Sequence, residues 1–131
     1  MVVPFKAWHY EWLKTGMNVP SKVLQEMEGQ NSWTVVIDGD IRACAGTMQQ
    51  WAGRHVAWAY MTPGIGRNMG FMTTQTKLKL AEVKGRIEMT VRTDFPAGHR
   101  WAKMLGFTVE TPLMKAYGPL GEDHTGYVRF N

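Results

Sequence analysis

The stretch Arg67-Asn68-Met69-Gly70-Phe71-Met72 places an arginine and a glycine where helical spacing begins. A helix N-terminus presents unpaired N–H groups and a partial positive charge, and a nearby arginine strengthens the site it makes for a pyrophosphate. Glycine lets the backbone approach such an anion closely. A second register uses Gly64-Ile65-Gly66 as the glycine pair, but no arginine precedes it and the helix becomes long before Gly85. The same glycines also suit a plain strand–helix connection that binds nothing.

Other chemistries find less support. His9, His55, His99 and His124 are scattered without the spacing of a metal site. Cys44 lies mid-strand among small neighbours and reads as a buried, inert thiol. Asp38 and Asp40 flank Gly39 and are explained by a turn, and no Gly-Lys-Ser/Thr phosphate-loop ending occurs. Glu88 on a strand reads either as a base or as a solvent-facing carboxylate.

The 131 residues predict one domain, residues 1–131, with a single core. One cysteine excludes an internal disulfide and predicts a reducing compartment, the cytoplasm. There is no apolar run long enough for a membrane span and no signal-like start. Net charge is +4, which suits a nucleotide phosphate but is too dispersed to argue for nucleic acid. The 6 Trp and 10 Met read first as core filler, with a groove for an apolar substrate as the functional alternative.

The elements that must position these groups follow from periodicity. Phe5 to Leu13 is aromatic-rich at helical spacing, and Ser21 is placed to cap a short second helix. Residues 33–37 and 41–48 read as a hairpin about Asp38-Gly39-Asp40, and 55–61 as a third strand with Val56, Trp58 and Tyr60 on one face, stopped by Pro63. A helix to about Lys84 presents Met69, Met72, Thr76, Leu80 and Val83, and a strand follows at 86–91. A short helix then starts at Pro96, ends at Gly106 and presents Ala97, Trp101, Met104 and Leu105. Residues 107–117 and 126–130 form a terminal strand pair. The order predicts an α/β fold, one sheet with helices on its faces.

Several landmarks then coincide in order. Tyr60-Met61-Thr62-Pro63, the Arg67–Met72 stretch and the helix–Leu105-Gly106-Phe107–strand ending together resemble the GNAT N-acetyltransferases. The resemblance covers roughly residues 32–131. It implies a mixed, mostly antiparallel sheet flanked by helices, with a shortened N-terminus for which Val2 and Val3 are the only first-strand candidates. It also implies a splay between the strands ending at Met61 and Val91. Acetyl-CoA would lie there as co-substrate, its pantetheine on the backbone of Tyr60, Met61 and Thr62, and its phosphates on Arg67, Asn68, Met69, Gly70, Phe71 and Met72. Met72 stands where the family has Gly or Ala, so a glycine there should bind tighter if the methionine obstructs the phosphates.

The implied reaction is direct attack by the amine of a small molecule or protein, without a metal. The family's tyrosine and asparagine fall on Ala102 and Phe95, neither of which replaces their chemistry. His99, one turn before Ala102, and Tyr60 become the candidate catalytic groups. A scaffold that binds without catalysis is the competing expectation, and a homodimer is left open. His99-Arg100-Trp101, Tyr117-Gly118-Pro119-x-Gly121-x-Asp123 and Tyr127-x-Arg129 further resemble phage-encoded GNAT proteins, including the small internal virion protein family of T7-like podoviruses. That likeness would place the protein in the host cytoplasm or the virion.

Overall fold

In the computed structural model, residues 1–13, 15, 18–62 and 65–131 are described. Pro63 and Gly64, to which the strand stop and one glycine register were assigned, lie outside the described residues. Seven strands form one sheet in the order β1-β2-β3-β4-β5-β7-β6. They are β1 (Val2–Pro4), β2 (Ser32–Ile37), β3 (Asp40–Trp51), β4 (Arg54–Met61), β5 (Arg86–Arg92), β6 (Thr108–Met114) and β7 (His124–Phe130). The helices are α1 (Ser21–Met27), α2 (Met69–Ala81) and α3 (Pro96–Met104), with 3-10 turns at Ala7–Trp12 and Ile65–Asn68.

All neighbouring strands are antiparallel except β4 and β5. The β2–β3 hairpin closes on Asp38 and Gly39, both at positive φ (52° and 81°), the two-residue turn that matches strand twist. Val2 and Val3 do form a first strand, paired with β2. Ser21 does not cap α1; it is the first helical residue, and Pro20 holds the cap position without a side-chain hydrogen bond.

Alternation along the strands divides the core between two faces. Trp33 and Val35 of β2 and Ala43 and Ala45 of β3 pack with Met72 of α2. Cys44, between those alanines, faces the other way into Phe5, Leu13, Leu24 and Met27 of the N-terminal segment and α1. Ile87 and Val91 of β5 join Leu80, Val83, Ala102 and Leu105, so α2 and α3 share one face of the sheet.

The last helix is rolled relative to expectation. Ala102 is fully buried, whereas Met104 is 56% exposed and Ala97 is also exposed. The cause is a close approach through small residues. A Cβ on Gly98 would lie 2.7 Å from Val91, so Gly98 and Ala102, one turn apart, set α3 down on β5. Trp101 is carried sideways, where its indole N–H donates to Thr73 Oγ1 of α2 at 2.9 Å. The tryptophans are not uniformly core either: Trp33 is buried, but Trp8, Trp12 and Trp51 are each more than half exposed.

Candidate functional site

The parallel joint between β4 and β5 is only three residue pairs long: Arg54 with Arg86, His55 with Ile87 and Val56 with Glu88. Gly85 makes the joint. It has φ +100°, and a Cβ there would lie 2.6 Å from the Gly53 carbonyl, so only glycine lets the two strand starts meet. Beyond Glu88 the strands have no common register, and the facing edges of residues 57–61 and 89–92 are left open. Because α2 crosses from the end of β4 to the start of β5, its N-terminus stands at the open end of this cleft. A crevice beyond the carboxyl ends of parallel strands is where ligands of open sheets bind.

The predicted cofactor residues divide between this end and the core. Asn68 holds the α2 cap position and its side chain makes no hydrogen bond to the first turn, where the helix presents its anion-attracting pole. Arg67 is exposed, and a Cβ on Gly70 would meet only open space. Phe71 is exposed, while Met69 is half-buried against the core. Met72 does not obstruct the pole: its side chain is fully buried among Trp33, Val35, Ala43 and Ala45, leaving only its backbone to the first turn. At the end of β4, Thr62 donates its N–H to Arg42 O at 2.9 Å, but its buried Oγ1 has no partner among the described residues.

The two predicted catalytic residues lie on opposite faces of the sheet. Tyr60 faces the N-terminal segment, edge-on to Tyr10 at 5.1 Å between centroids, and burial raises its phenol pKa. His99 lies on the helical face. Its Nε2 sits 2.9 Å from Arg92 O and 3.2 Å from Thr93 O, and carbonyls only accept, so Nε2 carries the proton. Nδ1 then accepts the hydroxyl of Tyr127 at 2.6 Å. Tyr127 was not picked out as a site residue in the sequence. It is 28 residues away on β7, almost fully buried, and burial raises its pKa. Ala102 points into the core, and Phe95 is 54% exposed, so neither position offers a proton.

Glu88 is unsuited to be a base. Arg54 Nε reaches its Oε2 at 2.5 Å and Arg54 Nη2 its Oε1 at 2.9 Å, while Arg86 Nε lies 3.2 Å from Oε2 and also pairs with Glu110. The Arg54 hydrogen bonds outweigh burial and, with Arg86, hold the Glu88 carboxyl below the usual range. A depressed folded pKa stabilises above the unfolded value near ~4.3, and the contribution is lost as pH falls through the folded value. Glu88→Gln is therefore expected to lower stability at pH 7, with the gap to wild type closing under acid. Urea denaturation at pH 7 and pH 3 measures this, and a gap independent of pH would assign the loss to packing instead. His9 is likewise structural. Lys6 N–H donates to its Nδ1 at 3.1 Å, and burial lowers its pKa.

Among the described residues, no group of three His, Cys, Asp or Glu could share a metal, and no helix is long and apolar enough to cross a membrane.

No family model and no curated protein matches the sequence. Solved structures do match in fold. The ribosomal-protein-S18-alanine N-acetyltransferase of Escherichia coli superposes with TM-score 0.75 at 15% identity, over 98% of this chain and 91% of that one. Ard1 of Thermoplasma volcanium gives 0.77 at 13% identity, over 98% and 95%. A GNAT-family acetyltransferase of Streptococcus pneumoniae gives 0.73 at 11% identity, over 98% and 97%. The shared property is the fold: a seven-stranded, mostly antiparallel sheet flanked by helices.

Proposed function

We propose that this chain, which has the GNAT fold, is an acetyl-CoA-dependent N-acetyltransferase that moves the acetyl group to the amine of a small molecule or protein by direct attack. The carrying observation is the three-pair β4–β5 joint opening onto the uncapped start of α2. Tyr60, Met61 and Thr62 offer backbone groups to pantetheine. A backbone N–H on this edge would polarise the thioester carbonyl. Arg67 and the Asn68–Met72 turn serve the phosphates.

Proton handling falls to the helical face. Burial keeps Tyr127 protonated, and its hydroxyl, held by His99 Nδ1, is the proton donor to the departing thiolate. Tyr60 lies on the other face, where its protonated phenol orients the amine.

Calorimetry with acetyl-CoA tests the donor site directly. Arg67→Ala should weaken binding by about 1.5–3 kcal/mol, the worth of a charged hydrogen bond. Unchanged affinity in a folded variant would favour the Gly64–Gly66 register or no site.

One pair of observations favours a second reading. With Ala102 in the core and Phe95 at the usual asparagine position, the scaffold could bind without catalysis, as a virion-associated protein would. Acetyl-CoA binding with no CoA release across an amine panel selects it.

A further inference from the structure

The loop Tyr117-Gly118-Pro119-Leu120-Gly121-Glu122-Asp123 has no part in the donor site, yet it is built around one carboxylate. A Cβ on Gly118 would fall 1.5 Å from Glu122 Oε1, so the carboxyl occupies the space a side chain would need. Leu120 N–H donates to Glu122 Oε2 at 3.1 Å, and Gly118 N–H donates to Glu122 O at 3.0 Å. Asp123 pins both ends: its Oδ1 accepts from Ala116 N–H at 2.8 Å and its carbonyl from Thr93 N–H at 3.0 Å.

What this loop holds is His124. Glu122 Oε1 lies 3.5 Å from His124 Nε2, and the Tyr117 ring packs on the imidazole at 5.3 Å. A carboxylate only accepts, so Nε2 carries the proton and Nδ1 keeps its lone pair. Nδ1 lies 3.0 Å from Thr90 Oγ1, whose hydroxyl donates to it. Thr90 is exposed on β5, and that part of β5 borders the open cleft. By strand alternation Thr90 faces away from α2 and α3, on the side of the sheet where Trp58 and Tyr60 project from β4.

Resting on the donor reading above, we propose that His124 is the general base of the acceptor half-site, taking the proton of the incoming ammonium at Nδ1 after the Thr90 hydroxyl turns aside. The amine enters from the face opposite α2 and α3, beside Tyr117. One ammonium proton passes to Nδ1, and Glu122 stabilises the imidazolium. The neutral amine forms the C–N bond, the C–S electron pair leaves on sulfur, which takes its proton from Tyr127, and the amine's second proton restores the Tyr127 phenol. The other ionisable groups on elements packed against His124 are Asp123 and Tyr117 of the loop, Lys115 at its start, Arg92 directly across on β5, which pairs with Asp94, and, further along the same strands, Glu88 and Arg86 of β5 and Glu110 of β6, which pair with one another and with Arg54.

The test measures acetyl-CoA affinity and CoA release against pH, using benzylamine, spermidine and a peptide with a free N-terminus as probes. In His124→Gln, kcat/KM should fall by about 10²–10⁴-fold for the best probe, with acetyl-CoA affinity within about twofold. Glu122→Gln should lower kcat with acetyl-CoA affinity unchanged, because the imidazolium formed in the step loses its carboxylate. Unchanged turnover in His124→Gln, or in Glu122→Gln, overturns the assignment. So does a wild type that binds acetyl-CoA but acetylates none of the probes, a result that leaves the donor site standing. A wild type that fails to bind acetyl-CoA removes the donor reading and this one with it.

Discussion

Met72→Gly should lower stability by about 3–6 kcal/mol, combining the cavity left by a buried methionine with the cost of glycine inside a helix. It should not tighten acetyl-CoA. The side chain has no exposed surface and fills the space between Trp33, Val35, Ala43 and Ala45. Only the backbone at this position reaches the first turn of α2, and glycine adds nothing to it. Urea denaturation monitored by tryptophan fluorescence, with an unchanged slope, measures the loss. Tighter acetyl-CoA binding by the folded fraction would mean that Met72 leaves the core when ligand arrives.

His99→Ala should lower kcat by about 10²–10⁴-fold with acetyl-CoA affinity nearly unchanged, the contribution typical of a positioned acid. It also strands the buried Tyr127 hydroxyl, so a stability loss of about 1–3 kcal/mol accompanies it. Tyr127→Phe separates the two effects. It removes the hydroxyl without leaving a buried donor unpaired, so a comparable fall in kcat supports the proton path from Tyr127. If only His99→Ala loses stability and neither loses kcat, the pair is a structural clip. Ala102→Tyr offers no rescue, because overpacking that core position costs about 1–3 kcal/mol.

Local pattern carried most of the fold. The Asp38-Gly39 turn, the β4 face bearing Trp58 and Tyr60, the α2 stripe and the Pro96–Gly106 helix limits are set by neighbours in sequence, and all of them can be read there. Misreadings arose where packing over long range decides. Helical spacing at Ala97, Trp101 and Met104 suggested a face, but Gly98 against Val91 rolled α3 onto Ala102. A methionine in the first turn of a helix suits core or solvent equally, and only the seating of α2 on β2 and β3 settles Met72. The site was harder still. His99 with Tyr127 is joined across 28 residues by the packing of α3 on the sheet, and His124 with Thr90 across 34 by strand register, neither of which local spacing encodes.

The brevity of the β4–β5 joint has a dynamic consequence. Strands β1–β4 are laced by antiparallel ladders, as are β5–β7, so each half forms a cooperative unit of its own. Three pairs, the Arg54–Glu88 ion pair and the packing of α2 connect them, and amides along this seam should exchange with solvent before those inside either ladder. A chain-like molecule laid on the open edges would hydrogen-bond both units at once. Occupancy would then stabilise by mass action and also fuse two unfolding units into one.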